Sequence, residues 1–301
     1  MRMKLHNWID NNKLIFDQLS LNENAITHIN KIHCNINWQK MSNNIGAIDL
    51  LKENIFKINW RTLSRNKNAI AILKANPDHI VWSQLSKNSN AMSLIKANPK
   101  NIDWTWLSSN SHPTAIDILE LNPTKIVWYW LSSNPGAMRL LEKEENFYKI
   151  NWARLSTNPS AINLIEKNLH EANWYYLSAN PAAIRILETN LQRVNWIQLS
   201  LNENAIHILE KKENIDKIHW GNLSINIGSM RILKNHIDKI DWYGFSSNPS
   251  IFTYDYNYIE MKTEMYKEGG IGLALMENIL HPDNCYKFYD WGLIDNKYIN
   301  I

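Results

Sequence analysis

A large aromatic residue, a large apolar residue three positions later, a Ser directly after that and an Asn two further on recur along most of this chain. The aromatic is Trp at positions 38, 60, 82, 104, 128, 152, 174, 196, 220 and 242. With Phe16 as a substituted first copy, the pattern fills eleven units, separated by 22 residues in seven intervals and by 24 in three. Self-similarity at this period predicts a stack of like supersecondary units, each unable to bury its apolar face alone and each completed by its neighbours.

The unit at 150–168 reads as two short helices and two turns. Asn151 precedes Trp152 as an N-cap, and Asn37, Asn59, Asp103, Asn173, Asn195 and Asp241 occupy the same place in their units. Trp152 and Leu155, three apart, share one face of a helix of about one and a half turns, too short to persist without packing. Asn158-Pro159 opens the second helix, because Asn caps it and Pro at the first helical position lacks an N–H that would be unpaired there. Ala161, Ile162 and Ile165 supply its buried face, and Leu164 widens it. Asn168 ends it in a place where a left-handed conformation is expected. Stacking then merges Trp, Leu and Ile into one core. The alanine column (Ala25, Ala47, Ala69, Ala91, Ala115, Ala137, Ala161, Ala183, Ala205) marks the closest approach of successive helices.

The longer intervals place two extra residues in loops. Between Leu107 and Ala115, His112-Pro113 takes the Asn-Pro role and displaces Asn110. After Leu141 and Leu209 the second helix is extended, through Lys143-Glu144-Glu145 and Lys211-Lys212-Glu213. The predicted fold is therefore an all-α solenoid, a superhelix of eleven repeats of 22–24 residues, each a short α or 3₁₀ helix followed by an α-helix. The period alone also admits a leucine-rich-repeat-like β/α solenoid. Against it, Ile58-Asn59-Trp60 and its equivalents alternate over only three residues. The boundaries are an N-terminal cap at 1–13, the solenoid at 14–250, and a C-terminal cap or tail at 251–301. In that tail a helix is expected through Met276 and Leu280, and Gly269-Gly270 act as punctuation.

Composition changes the picture little. There are 32 Lys and Arg against 29 Asp and Glu, a net +3, with both signs interspersed, which argues against a dedicated nucleic-acid binder. No apolar run approaches the eighteen or so residues that cross a bilayer, and the opening residues lack the apolar stretch of a signal peptide. The expectation is an intracellular protein. The two cysteines, Cys34 and Cys285, lie near opposite ends of an extended stack, so no disulfide is expected, in keeping with a reducing compartment.

The opening Trp8-Ile9-Asp10-Asn11-Asn12-Lys13-Leu14, the Ile-Asn-Trp-x-x-Leu-Ser-x-Asn-Pro-x-Ala-Ile-x-Leu-Leu units, and the tail with Ile251-Phe252-Thr253-Tyr254-Asp255-Tyr256 followed by His281-Pro282 carry a resemblance. Over the whole chain they resemble a tandem-repeat family of giant viruses, the large DNA viruses of protists. That resemblance implies host cytoplasm or virion as the location, and no biochemical activity comes with it. The unit layout is also similar to the leucine-rich variant repeat, in which a 3₁₀ helix and an α-helix alternate around Asn-Pro.

Candidate chemistry is sparse. Ser recurs in every unit from Ser20 to Ser246, but no His or carboxylate recurs beside it to activate a nucleophile, so it is read as bonding the turn backbone. The Asn column is read as caps in preference to a base-recognition code. His28, His33 and Cys34 match no zinc spacing. An enzyme would need the tail residues His281, Asp283, Cys285 and Asp290. No cofactor, metal or small-molecule substrate is inferred. The variable positions after each Trp are the surface candidates. Most are polar or small, whereas the middle units carry Trp106, Tyr129, Trp130, Arg154, Tyr175 and Tyr176. Equivalent positions align along a stack, so these residues form one strip, and aromatics with Arg are the usual anchors of protein interfaces. The sequence thus points to a non-catalytic scaffold that binds a protein partner. A virion structural protein and a single-stranded nucleic-acid binder that stacks bases on the strip are the alternatives.

Overall fold

The computed structural model describes residues 3–32 and 36–255. The chain divides into two compact units, Leu5–Phe252 and a smaller one joining Met1–Lys4 to Thr253–Ile301. Met3–Leu5 and Phe252–Tyr254 pair as a two-stranded sheet. The rest of the described secondary structure is helical, in many short helices that pack in sequence order. Cys34, Cys285 and the tail residues His281, Asp283 and Asp290 lie outside the described residues, as do the predicted tail helix and His33.

Each Trp begins a helix of four to six residues, for example Trp60–Ser64, Trp128–Ser132 and Trp152–Leu155. The caps are where the sequence places them: Asn59 Oδ1 accepts from Thr62 N (3.0 Å), Asn151 Oδ1 from Arg154 N (2.9 Å), and Asn195 Oδ1 from Gln198 N (3.0 Å). Asn158 then caps a 3₁₀ turn, Pro159–Ala161, which runs on into the helix Ile162–Lys167. The second helix therefore starts with a tighter turn than the Asn-Pro signal implies.

Its end departs from expectation. Asn168 has φ −128°, and Asn76, Asn98 and Asn122 have φ between −134° and −130°, so no left-handed cap forms. Instead the side-chain amide folds back: Nδ2 of Asn76, Asn98 and Asn168 donates to the carbonyls of Ile72, Leu94 and Leu164, each at 2.9 Å. That bond satisfies a terminal carbonyl that a left-handed cap would otherwise serve. A further 3₁₀ turn follows, such as Pro77–His79 or Leu191–Arg193, giving a third short helical piece that the two-helix reading omits.

The insertions behave differently from the prediction as well. Asn110 keeps its column place while His112 adds a second cap, its Nδ1 accepting from Thr114 N (3.1 Å) ahead of Pro113–Glu120. After Leu141 the helix stops, and the extra residues enter a six-residue 3₁₀ segment, Glu144–Lys149. Buried Asn146 anchors that segment through Leu140 O (2.9 Å), as Asn214 does through Ile208 O (2.9 Å) in Lys212–Lys217.

The core consists of the alanine column, the apolar column that follows Trp and a third column from the second helices, with Leu63, Leu107, Leu155, Ala69, Ala161, Leu73, Leu119 and Ile165 all buried. The Trp column does not belong to it: all ten are only half-buried. A side chain at the first position of a helix leans back toward the N-terminus, over the entering turn and away from the stack axis. Several of these indoles take a covering group from the 3₁₀ turn that leads to the next Trp. Lys57 lies over Trp38 (4.7 Å), Lys149 over Trp128 (4.9 Å), Arg193 over Trp174 (4.1 Å) and Lys217 over Trp196 (4.6 Å), while His79 stacks on Trp60 (4.4 Å). The covering residue stands three positions before the next Trp.

The alanine-bearing turns are the tight contact. Pro159–Ala161 packs against Pro135–Ala137 on one side and Pro181–Ala183 on the other. Ala161→Leu is expected to lower stability by about 1–3 kcal/mol through overpacking, seen as an earlier thermal midpoint. A variant as stable as the parent would show that the turns do not meet there.

Buried polar groups tie the units together. The column Ser of each unit, from Ser20 to Ser246, donates its hydroxyl to the carbonyl four residues back, at 2.6–3.5 Å. The same oxygen accepts the backbone N–H that enters the next unit's first helix, as in Asn59 N to Ser42 (2.9 Å) and Asn151 N to Ser132 (3.0 Å). The Asn column is bound on both sides too. Asn158 Oδ1 accepts from Ser160 N (3.0 Å), while its Nδ2 donates back to Ser132 O (3.2 Å) and Asn134 O (3.0 Å) of the preceding unit.

This ladder has no open end. Ser246 Oγ accepts from Ile15 N (2.8 Å), and Asn22 Nδ2 donates to Ser246 O (3.3 Å) and Asn248 O (2.8 Å), the bonds that Asn44 makes to Ser20 and Asn22. Helix Phe16–Leu19 packs against Trp242–Ser246. Lys13, three positions before Phe16, covers Trp242 (5.2 Å) as Lys57 covers Trp38. Trp8 lies on Phe245 (5.9 Å), and His6 N donates to Ile251 O (3.1 Å). Within Leu5–Phe252 the last unit thus precedes the first, and the stack closes on itself.

Candidate interaction site

The Trp-led helices lie side by side between units, Trp38–Asn43 against Trp60–Ser64 and Trp60–Ser64 against Trp82–Ser86, whereas the second helices meet neighbouring units mainly through their 3₁₀ turns. The residue directly after Trp projects from that close-packed edge, and the next one tucks along it. Tyr129 and Tyr175, in the first position, are 48% and 47% exposed, as is Tyr243 at 58%. Trp106, Trp130, Arg154 and Tyr176 are half-buried.

The structure brings most of the predicted strip together. Trp130 meets Trp106 (5.3 Å, 35° between planes) and, edge to face, Tyr129 (5.1 Å). The Arg154 guanidinium sits between the rings of Tyr129 (5.0 Å) and Trp130 (4.9 Å) and donates from Nη2 to Ser133 Oγ (3.0 Å). Its Nε is buried without a hydrogen-bond partner, a cost the cation–π contacts offset in part. Tyr175 and Tyr176 form a separate edge-to-face pair (5.2 Å). Lys87, absent from the sequence reading, covers Trp106 (5.2 Å). A basic residue directly after the column Ser was the signal for it.

Farther along the same edge, Lys40 forms an ion pair with Asp17, and Asn37 Nδ2 donates to the same carboxylate (2.6 Å). The Lys40 hydrogen bond, then that of Asn37, hold the Asp17 carboxyl below its ordinary pKa. Lys40 also lies 5.8 Å from the Tyr243 ring, so it reaches past one unit to the next but one. Side chains two units apart meet only where a stack converges, which marks this edge as the inner side of the closed circuit.

The second-helix side is chemically quieter. Arg139 pairs with Asp117 and Glu120, Lys143 with Glu120, and Arg231 with Glu210. A cleft of about 440 Å³, lined by Glu120, Trp128, Leu140, Lys143 and Lys149, opens beside the Glu144–Lys149 insertion. Two of its lysines are engaged, Lys143 by Glu120 and Lys149 by Asn146. Each Ser hydroxyl of the column is saturated by two backbone partners and buried, so none is available as a nucleophile.

No family model, curated protein or solved structure matches this sequence. Among the described residues, no helix is long and apolar enough to cross a membrane.

Proposed function

We propose that the chain is a non-catalytic scaffold, a closed solenoid of eleven units, that binds a protein partner along the edge carrying Tyr129, Trp130 and Arg154. The observation that carries this reading is the joint placement of exposed aromatic rings and a cation-bearing side chain on one edge. Elsewhere the recurrent polar groups are consumed by the fold. Aromatics and Arg held in place by their neighbours lose little side-chain entropy on binding, which is why such groups anchor interfaces. The sequence's likeness to a giant-virus repeat family suggests a partner in infected cells, and a place in the virion is the variant of the same reading.

The edge is testable by photo-crosslinking in cells that produce the protein, with a photoreactive phenylalanine at Tyr129 or Tyr175 and, as control, at exposed Lys74 on the second-helix side. The expected result is a discrete protein adduct from positions 129 and 175 and none from 74. Equal adducts from all three, or none at all, would overturn the reading.

A further inference from the structure

Charge is distributed unequally between the two sides of the stack. On the second-helix side cations are interspersed with carboxylates such as Asp49, Asp117, Glu120, Glu188 and Glu210, and Arg139, Lys143 and Arg231 each meet one. On the Trp-led edge, Arg61, Arg65, Lys87 and Arg154 make no ion pair among the described residues: Arg65 donates to Asn43 Oδ1 (2.9 Å), Lys87 lies on Trp106, and Arg154 lies on Tyr129 and Trp130. Along this edge, the two positions after each Trp and the one after each Ser hold a single carboxylate, Asp17, already taken by Lys40. The edge thus carries Lys40, Arg61, Arg65, Lys87 and Arg154 against Asp17 and the cap carboxylates Asp103 and Asp241, which are taken up by backbone N–H groups, and all of these cations but Lys40 lack an ion pair among the described residues.

We propose that this edge docks an extended acidic peptide segment, whose carboxylates pair with Lys87 and Arg154 while its apolar side chains lie against Trp106, Trp130 and Tyr129. The inference rests on the protein-binding reading above and names the partner's chemistry. Three features favour that occupant. The unpaired guanidinium and ammonium groups call for anions, and Arg154 still has donors free to bind a carboxylate. The edge is the converging side, where Lys40 and Tyr243 meet across an intervening unit, so an extended chain fits it better than a folded domain. The ring faces are already covered, Trp130 by Trp106 and Arg154, and Trp106 by Lys87. Bases need open ring faces to stack on, whereas peptide side chains can pack against ring edges. This selects an acidic peptide over a single-stranded nucleic acid.

Lys87 and Arg154 stand three units apart. At roughly 10 Å between neighbouring helices that is about 30 Å, or about nine residues of extended chain. The probe is therefore a fluorescein-labelled dodecapeptide of alternating Glu and Leu, titrated with the full chain and followed by anisotropy. The comparisons are its Gln-for-Glu counterpart, its Lys-for-Glu counterpart and an oligo(dT) of equal length. The Glu peptide is expected to bind about tenfold or more tightly than the Gln peptide, with affinity falling as salt rises from about 50 to 300 mM. Lys87→Gln and Arg154→Gln should each weaken it several-fold, the exposed Lys87 variant without moving the unfolding midpoint. Equal affinity for the Glu and Gln peptides, no binding of either, tighter binding of oligo(dT), or indifference to both substitutions would each overturn the proposal. If the photo-crosslinks at 129 and 175 persist despite such a result, the scaffold reading stands and only the acidic specificity fails.

Discussion

Asn158→Asp is expected to destabilise the protein by about 3–5 kcal/mol, read as a lower urea midpoint with Trp fluorescence as the probe. Asp and Asn cap helices about equally well, so if Asn158 served only as a cap the change would be close to neutral. In the structure the carboxylate keeps the cap, because one oxygen still accepts from Ser160 N. It forfeits both donations, to Ser132 O and Asn134 O, and points negative charge at those two carbonyl oxygens in a fully buried place. Ser132 O loses its donor at about 1–3 kcal/mol, Asn134 O keeps only Ala137 N (3.1 Å), and the buried charge adds its own desolvation and its repulsion from both oxygens. Lowering the pH should recover part of the loss, since a protonated acid regains one donor. A change within about 0.5 kcal/mol, the range of an ordinary surface substitution, would mean that the inter-unit bonds contribute little and the column is a row of caps.

The second large effect concerns the closure. Phe245 is fully buried between Trp8 (5.9 Å) and Trp242 (5.5 Å), at the place in the last unit that Leu or Met holds in the others. Phe245→Ala is expected to cost about 3–5 kcal/mol. The distribution of that loss is more informative than its size. An open stack frays at its ends, whereas a closed one gives every unit two neighbours. Amide hydrogen exchange of the unmodified protein should therefore be as slow in Phe16–Leu19 and Trp242–Ser246 as in Trp128–Ser132. In the Phe245→Ala protein, protection should drop together in the first two segments, two hundred residues apart in sequence and adjacent in space. Fast exchange at both ends of the unmodified protein would refute closure outright.

Much of the unit was legible before any coordinates, because its signals are local. A cap acts on an N–H two or three residues away, as Asn151 does on Arg154 N, and Leu155, Ala161 and Ile165 announce burial by their spacing. The errors have one physical origin. Ten regularly spaced indoles read as core, yet the first position of a short helix leans outward, and Trp38, Trp60, Trp128, Trp174 and Trp196 each lie under a basic residue of the turn before the next Trp, an arrangement that appears only when the turns are packed. Asn168 reads as a left-handed cap because Asn tolerates that conformation. A bond from its own amide to Leu164 O meets the same need in an ordinary one. The strip residues Trp106, Tyr129, Trp130 and Arg154 were found by alignment of equivalent positions, while their stacking on one another and the part played by Lys87 came only with the packed edge.

By itself the sequence determined a stack of short capped helices with an aliphatic and alanine core, since every contact that defines a unit lies within it or one unit away. Tertiary structure alone decided that Ser246 and Asn248 meet Ile15 and Asn22. Closure depends on the small rotation between neighbouring units, summed round the whole stack. No single unit encodes that sum: it is set by how the Ala-bearing turns and the Ser and Asn bonds of one unit seat against the next, and it brings the first and last units into the same register as any other pair.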